Sequence, residues 1–536
     1  MNGRSFSIRS SARPCARRCV PLRIVKWTRD VGFSTIDYLT LIAYLAGITL
    51  FGMRFRRAQR TVRDYFIGAR TTSWVVISLS IVATETSTLT LIGVPALVYS
   101  DFARPEQGGS FMYLQVVLGY IVARFIISWI LIPAYFQGEL LTAYALLERR
   151  FGAATKHVTA SLFLVMRALA EGVRVFAASL VLSAVLTRSL PGLPHLWLWS
   201  IALVGVLTLV YTFEGGIGAV IWTDLIQFVI YIAGSLLAVH ELIQLVPGGL
   251  PAIHAIGARA DKFQVLSFSW NPAMPFTFWA GLTGGTFLTL ASHGTDQLLV
   301  QRMLTCRTMR DAQKALVMSG FVVLFQFVLF LTIGAMLFAY YQSHPRPALT
   351  SNDEIFPAFI VQILPRGIAG LVIAAIFAAA MSNLSGSLNS LASTSIFDFY
   401  QPLARRRHSD ARLLLLSRWC TAGWGIVLIG IAILARGWGS VFTAGLTVAS
   451  LVYGPMLGAF AVGVLTRRAT ERGAIAGIAV SLAVMVLVKL YTPLAWTWYV
   501  LVGTIICAAV ACAVSLTSSP IELETTTGSG AGTPLR

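Results

Sequence analysis

The sequence predicts an all-α integral membrane protein, and three observations carry that expectation. The chain of 536 residues is 56% hydrophobic and only 12% charged, about half the charge of a soluble chain of this length. Apolar runs of roughly 18 or more residues recur along nearly its whole length, each enough to cross a hydrocarbon core of about 30 Å as a helix. Strand-sized alternation of apolar and polar residues is absent, which argues against a β-barrel.

Taken in order, the runs give thirteen spans: 36–51, 74–99, 111–135, 158–186, 196–213, 225–245, 276–292, 315–341, 368–396, 414–434, 441–465, 474–491 and 495–516. The loops between them, roughly 5 to 30 residues, are too short for an independent catalytic core. Function therefore resides within the membrane. The net charge of +19 does not imply a nucleic-acid partner, because the basic residues concentrate in alternate short loops. The loop "RFRRAQRTVRDYFIGAR" holds six arginines. Further basic residues stand at Arg149, Arg150 and Lys156, at Arg302, Arg307, Arg310 and Lys314, at Arg405 to Arg407 and Arg412, and at Arg467, Arg468 and Arg472. These loops fall on one side, which the positive-inside rule makes cytoplasmic. Span 1 then starts outside and the carboxyl end lies inside.

The ends read differently from the middle. The segment "MNGRSFSIRSSARPCARRCVPLRIVKWTR" carries eight basic residues and no acid before Asp30. It resembles an organellar transit peptide or a misassigned start, with a native beginning near Val31. Residues 1–33 are accordingly set apart as a basic extension, 34–516 as the transmembrane domain, and 517–536 as a tail of disordered composition. The six cysteines, Cys15, Cys19, Cys306, Cys420, Cys507 and Cys512, have neither metal spacing nor a disulfide pattern and read as small core residues.

Polar residues inside the spans are the informative ones, since a central charge costs about 2.5–3.5 kcal/mol on insertion scales. In span 2, "VATETSTLTLIGVP" has one carboxylate, Glu85, among five hydroxyls at consecutive positions rather than on one face. That suits a locally unwound segment lining a cavity. The structural alternative has each hydroxyl bonding back to the preceding turn and Glu85 paired with an arginine such as Arg124. In span 9, "AAIFAAAMSNLSGSLNSLAS" places Ala379, Ser382, Asn383, Gly386, Asn389 and Ser390 at helical spacing. Such a stripe permits close helix packing, and its oxygens also suit a desolvated alkali cation. In span 4, "RALAEGVRV" sets Arg167, Glu171 and Arg174 at spacings that share a helix face, an ion-pair ladder which Glu85 or Asp224 could join. At the cytoplasmic mouth of spans 5 to 7, Gly215 and Gly216 permit a tight turn, while Asp224 and Asp296 sit at span ends where hydration is partial. His293 is either a hydrogen-bonded core residue or a direct participant.

Four pieces, "YTFEGGIGAVIWTDLIQ", "HGTDQLLVQRML", "LPRGIAGLVIAAIFAAAMSNLSGSLNSLAS" and "GVLTRRATERGAIAG", make the sequence resemble the sodium:solute symporter family from about Ser34 to Leu516. The resemblance implies a leucine-transporter-type fold of two five-helix inverted repeats, spans 2–6 and 7–11, each opening with a broken helix. Spans 1, 12 and 13 would be peripheral. The polar stretch of span 2, followed by Gly93 and Pro95, and Gly281, Gly284 and Gly285 in span 7 are the matching interruptions. The family further implies a sodium ion held by the backbone of Ala83, Thr86 and Ala379 and the side chains of Ser382 and Asn383. Relatives often have Ser or Thr where this chain has Asn383, and the longer amide changes the geometry. Asp224 matches an acidic residue linked to cation access and release. By the same resemblance the solute would lie beside Ser87, Thr90, Thr289, Ser292, His293 and Thr447. Ser292 stands where sugar cotransporters carry an aromatic gate, so the same pyranose stacking is not expected.

The implied function is sodium-coupled symport of a small polar organic solute by alternating access, most naturally in a bacterial cytoplasmic membrane. The partners would be solute, sodium and the bilayer, not nucleic acid. Two alternatives stay open: proton coupling through Glu85, and a transporter-like solute sensor. Paired His/Asp or Ser/His motifs at helical spacing are absent from the spans, so an enzyme is not expected.

Overall fold

The computed structural model describes residues 33–517, apart from 56–60, 69, 102–106, 138–139, 190–193, 348, 350–351, 405–408 and 436–440. The basic extension and the tail thus lie almost wholly outside the described residues. Among those described, the chain is helical with no strand. Helix α1 is Thr35–Met53, followed by the short α2, Val62–Phe66. Helices α3 (Trp74–Glu85) and α4 (Thr88–Tyr99) form one span bent by 64°. Next come α5 (Leu114–Phe136), α6 (Ala145–Arg150), α7 (Ala153–Ser189), the 50-residue α8 (Leu196–Leu245) and α9 (Gly249–Arg259). The second half holds α10 (Phe278–Gly294), α11 (Gln297–Leu304), α12 (Met309–Ser343), α13 (Ile355–Ile363) and α14 (Ile368–Thr394). It ends with α15 (Gln401–Leu403), α16 (Asp410–Leu434), α17 (Val441–Leu465), α18 (Glu471–Tyr491) and α19 (Tyr499–Thr517).

By length and hydropathy, eight of the described helices can cross a membrane, and nine spans qualify once the bent pair is joined. The reading of thirteen is larger for physical reasons. Helix α8 contains two spans meeting at Gly216, whose φ of 54° and ψ of −156° favour glycine. A Cβ there would lie 2.5 Å from the Tyr65 carbonyl oxygen. Helix α7 is long enough but carries Arg167, Glu171 and Arg174 in its middle. Helix α10 has 17 residues, because its span breaks before α11 begins.

The polar starts of the helices are locally explained. Ser34 and Asp37 form a reciprocal capping box at α1. Asp37 Oδ1 also accepts the backbone N–H groups of Gly367 (2.8 Å) and Gly370 (2.6 Å), which pins α1 to the start of α14. Helix α14 is buried along its whole length from Val372 and forms the centre of the bundle, packed against α8, α7, α1 and α16. At the far end of the first broken span, the Lys262 ammonium donates to the Ser100 carbonyl at 3.0 Å and lies 4.2 Å from the centre of the Phe338 ring. Burial pushes this loop lysine below its ordinary value, with Asp101 pulling the other way.

One expectation needs correcting here. Gly281, Gly284 and Gly285 do not interrupt span 7: α10 runs through all three. They are close-packing positions, since a Cβ on Gly285 would lie 2.2 Å from the Val116 carbonyl oxygen on α5. The interruption comes about ten residues later, at Thr295 and Asp296.

Candidate functional site

Two helix breaks and the central helix build the site. At the first, Thr86 and Ser87 are extended between α3 and α4. The last bond of α3 is Thr86 N–H to Val82 O at 2.9 Å, and α4 resumes with Leu91 N–H to Ser87 O at 3.1 Å. The carbonyls from Ala83 to Thr86 therefore fall in a gap without the helical N–H four residues ahead. Helix α14 faces this gap. The Asn383 amide nitrogen donates to Thr84 O at 2.6 Å, and the Ser382 hydroxyl donates to Asp224 Oδ1 at 2.6 Å. The Thr86 hydroxyl meets Gln326 and Tyr231, with Gln326 Nε2 donating to it at 2.7 Å.

At the second break, Thr295 and Asp296 leave the helical conformation. Asp296 caps α11 by accepting the N–H of Leu298 at 2.9 Å. Its other oxygen pairs with the buried Arg167 guanidinium and accepts the Tyr453 hydroxyl at 2.7 Å.

Between the breaks lies a cavity of about 140 Å³. Ser87, Thr90, Thr289, Ser292 and His293 border it, as do Glu85, Thr86, Arg167, Arg174 and Asn383. An aromatic wall of Tyr113, Tyr120 and Phe327 completes it, with Tyr113 stacked on Phe327 at 5.1 Å between centroids and bonded to Tyr120 at 3.0 Å. Thr447, on α17, is not among the lining residues. The side of α17 that reaches the cavity carries Ala449 and Tyr453 instead.

The charged residues sort only partly as the sequence reading had them. Glu85 pairs with Arg124, which is fully buried and also donates to Ser319 at 3.1 Å. His293 Nε2 lies 3.4 Å from the Glu85 carboxylate and 3.1 Å from the Arg124 guanidinium. The ladder along α7 is split. Arg167 turns to Asp296, whereas Arg174 contacts Glu171 and Asn383 Oδ1, each at 3.3 Å. Glu171 is also held by the Ser387 hydroxyl at 2.9 Å. Neither Glu85 nor Asp224 joins the ladder. Asp224 and Asp296 are both fully buried, so neither is a hydrated mouth residue. Asp224 accepts from Ser80 (2.6 Å), Thr84 (3.1 Å), Ser382 (2.6 Å) and Arg302 (3.0 Å). Burying both charges without such partners would be prohibitive. Asn383 is a further departure: its amide nitrogen faces the break, and its oxygen faces Arg174.

Sequence reasoning missed Gln326, Tyr231 and the aromatic wall, and it put Arg302 among the cytoplasmic loop residues, whereas that side chain is fully buried on α11, held by Asp224. Gln326 had a signal, a lone amide in the apolar run "VVLFQFVLF". The tyrosines had none, since aromatic residues are ordinary in a span.

The profile of the sodium:solute symporter family matches residues 65–481. The chain is 30% identical over 482 residues to the sodium/sialic acid symporter NanT of Aliivibrio fischeri, covering 88% of this chain and 91% of that one. It is 29% identical over 480 residues to the human sodium-coupled monocarboxylate transporter 1, covering 87% and 76%. Among solved structures, the substrate-bound, outward-open state of a sodium-coupled sialic acid symporter, described as revealing a novel sodium site, superposes with a TM-score of 0.82. That alignment has 28% identity and covers 91% of this chain and 99% of that one. The fold and its two broken spans define a secondary transporter of the leucine-transporter type. The chain belongs to the sodium:solute symporter family. It is a multi-pass membrane protein whose partners are sodium and a small solute.

Proposed function

We propose that this symporter carries a small hydroxylated organic anion together with sodium across the cytoplasmic membrane. The observation that carries this reading is Arg174. Its side chain lines the cavity and is 24% exposed, and its contacts to Glu171 and Asn383 are both long at 3.3 Å. A guanidinium has five N–H donors in a planar fork that fits a carboxylate, so Arg174 keeps donors for a solute. Ser87, Thr90, Thr289 and Ser292 supply hydroxyls around it. The sialic acid and monocarboxylate transporters among the relatives carry acids, which supports the same class here.

Coupling follows from adjacency. Sodium would lie in the gap of the first break, with the carbonyls of Ala83, Thr86 and Ala379 and the Ser382 hydroxyl as its oxygens. Asn383 would have to turn its amide to contribute. A cation there orders the residues that lead directly into Ser87 and Thr90, so sodium binding prepares the solute site. Proton coupling through Glu85 has less support, because Arg124 and His293 already face that carboxylate.

A thermal-shift screen of the purified protein with lactate, sialic acid and lactamide, with and without sodium, tests the reading. Acids should stabilise only with sodium, and the amide should not. Arg174→Gln should raise the KM for an acid at least tenfold. Equal binding of acid and amide would remove the anion from the proposal.

A further inference from the structure

We infer that the outer loop leading into α10 is a membrane-interface anchor, seated in the outer leaflet through Leu266, Phe268 and Trp270. From Phe263 to Phe278 the sequence reads "FQVLSFSWNPAMPFTF", without a single charged residue. The positive-inside reading puts this loop on the outer face, after the second half of α8 has crossed. Other outer segments carry the charge expected in water: Asp101 follows α4, and Arg346, Asp353, Glu354 and Arg366 flank α13. The uncharged loop also has two distinct sides. Its exposure alternates from residue to residue with the period of a strand. Leu266, Phe268 and Trp270 are 45%, 59% and 72% exposed, whereas Val265, Ser267 and Ser269 are half-buried.

Hydrogen bonds on the inner side hold this orientation. The Ser267 N–H donates to Oε1 of the buried Gln115 at 3.0 Å, and Gln115 Nε2 donates to the Phe276 carbonyl at 3.0 Å. The Phe278 N–H donates to the Ser267 carbonyl at 2.6 Å. The exposed rings rest on the first turn of α10: Trp270 stacks on Trp279 at 4.3 Å between centroids, and Phe268 meets Phe278 at 5.1 Å. In water, such a line of large apolar side chains would be an association surface. Its neighbours say what covers it. The Ala495 N–H donates to the Pro272 carbonyl at 3.0 Å, which ties the loop to the turn between α18 and α19. That turn, "YTPLAWTW", is uncharged too, and Leu490 and Tyr491 at the end of α18 are exposed. The two uncharged outer segments thus lie side by side where α10 and α19 begin and α18 ends. The stripe continues the lipid-facing surface of these helices at the level where tryptophan and other aromatic residues meet the headgroups. Because α10 runs from this loop to the second break, the anchor ties the height of that helix to the bilayer.

Site-specific photocrosslinking of the full chain in the membranes of expressing cells tests the inference. Phe268 and, separately, Trp270 are replaced by benzoylphenylalanine, which keeps an aromatic ring at an exposed position and so spares the fold. The same probe replaces Arg259, an exposed and charged outer position on α9. After irradiation, positions 268 and 270 should form phospholipid adducts, read as a mass shift of the intact protein, at least tenfold more often than position 259. Equal yields at the three positions would overturn the anchor, because the stripe would then face water. Crosslinks from 268 and 270 to a second polypeptide in place of lipid would also overturn it and make the stripe a protein-binding surface. Neither outcome depends on which solute is carried, so the solute class and the anchor stand or fall separately.

Discussion

The two broken spans occupy corresponding places in the two halves, yet they are finished with different chemistry. The first break, at Thr86 and Ser87, has the Glu85–Arg124 pair beside it, but its gap is met by neutral groups: the Asn383 amide, the hydroxyls of Thr86 and Ser382, and Gln326. The second, at Thr295 and Asp296, is closed by fixed charge, with Asp296 held by Arg167 and Tyr453. Neutral oxygens leave the local charge open, so a mobile cation can complete it. A carboxylate already paired with a guanidinium has no such vacancy. The contrast teaches that symmetry of backbone does not imply symmetry of function: one break is suited to exchange an ion and the other to anchor the bundle.

Removing the anchor should produce the largest effect. Arg167→Ala leaves Asp296 buried and unpaired, which costs about 3–5 kcal/mol for a buried pair. The expected outcome is a large fall in melting temperature in detergent and little folded protein in the membrane. A variant of normal stability that lost only transport would move Arg167 from the anchor to the solute site, on whose border it also lies.

Glu85→Gln should rank second. It keeps a hydrogen bond to Arg124 but removes a charge-assisted one, worth about 1.5–3 kcal/mol. It tests whether the acid beside the first break is a permanent ion-pair partner. Uptake should weaken at every pH while its sodium dependence persists. Uptake driven by a pH gradient without sodium in the wild type, lost in this variant, would instead make Glu85 a proton carrier and give the first break a titrating charge.

Much of this contrast was legible in the sequence, but unevenly. The spans were, because a membrane sets both the length and the polarity of every crossing segment. The first break was, because consecutive hydroxyls from Thr84 to Thr90 cannot all share a helix face. The second was not. Its sign is a single aspartate after an apolar run, while the three glycines that drew attention serve packing against α5. The pairings were hidden for a different reason. Arg167 and Asp296 are 129 residues apart, and Arg302 and Asp224 are 78 apart. Local spacing reports neighbours on one helix, so it suggested a ladder along α7 that the fold divides between two partners.

Ser382→Ala probes the neutral break directly. It removes one hydroxyl that bridges the gap and Asp224, without leaving a charge unpaired, since Arg302, Ser80 and Thr84 still reach the carboxylate. The half-saturating sodium concentration should rise about tenfold, equivalent to about 1.4 kcal/mol, with solute affinity at saturating sodium nearly unchanged. An unchanged sodium requirement would remove Ser382 from the cation site.

Tyr231→Phe should have the smallest effect and makes the sharpest distinction. Its hydroxyl reaches Gln326 Oε1 at 3.1 Å and the Thr86 hydroxyl at 3.3 Å. Those bonds steady the side chain of Thr86, whereas the proposed cation oxygen of Thr86 is its carbonyl. Losing one neutral hydrogen bond costs about 0.5–1.5 kcal/mol, and Gln326 still donates to Thr86 at 2.7 Å. The melting temperature should therefore fall slightly, while the sodium requirement shifts less than threefold. A shift as large as that of Ser382→Ala would mean that the Thr86 hydroxyl, rather than its carbonyl, binds the ion. The neutral groups of the first break would then contribute through their side chains, and its difference from the second break would lie in side-chain charge alone rather than in exposed backbone.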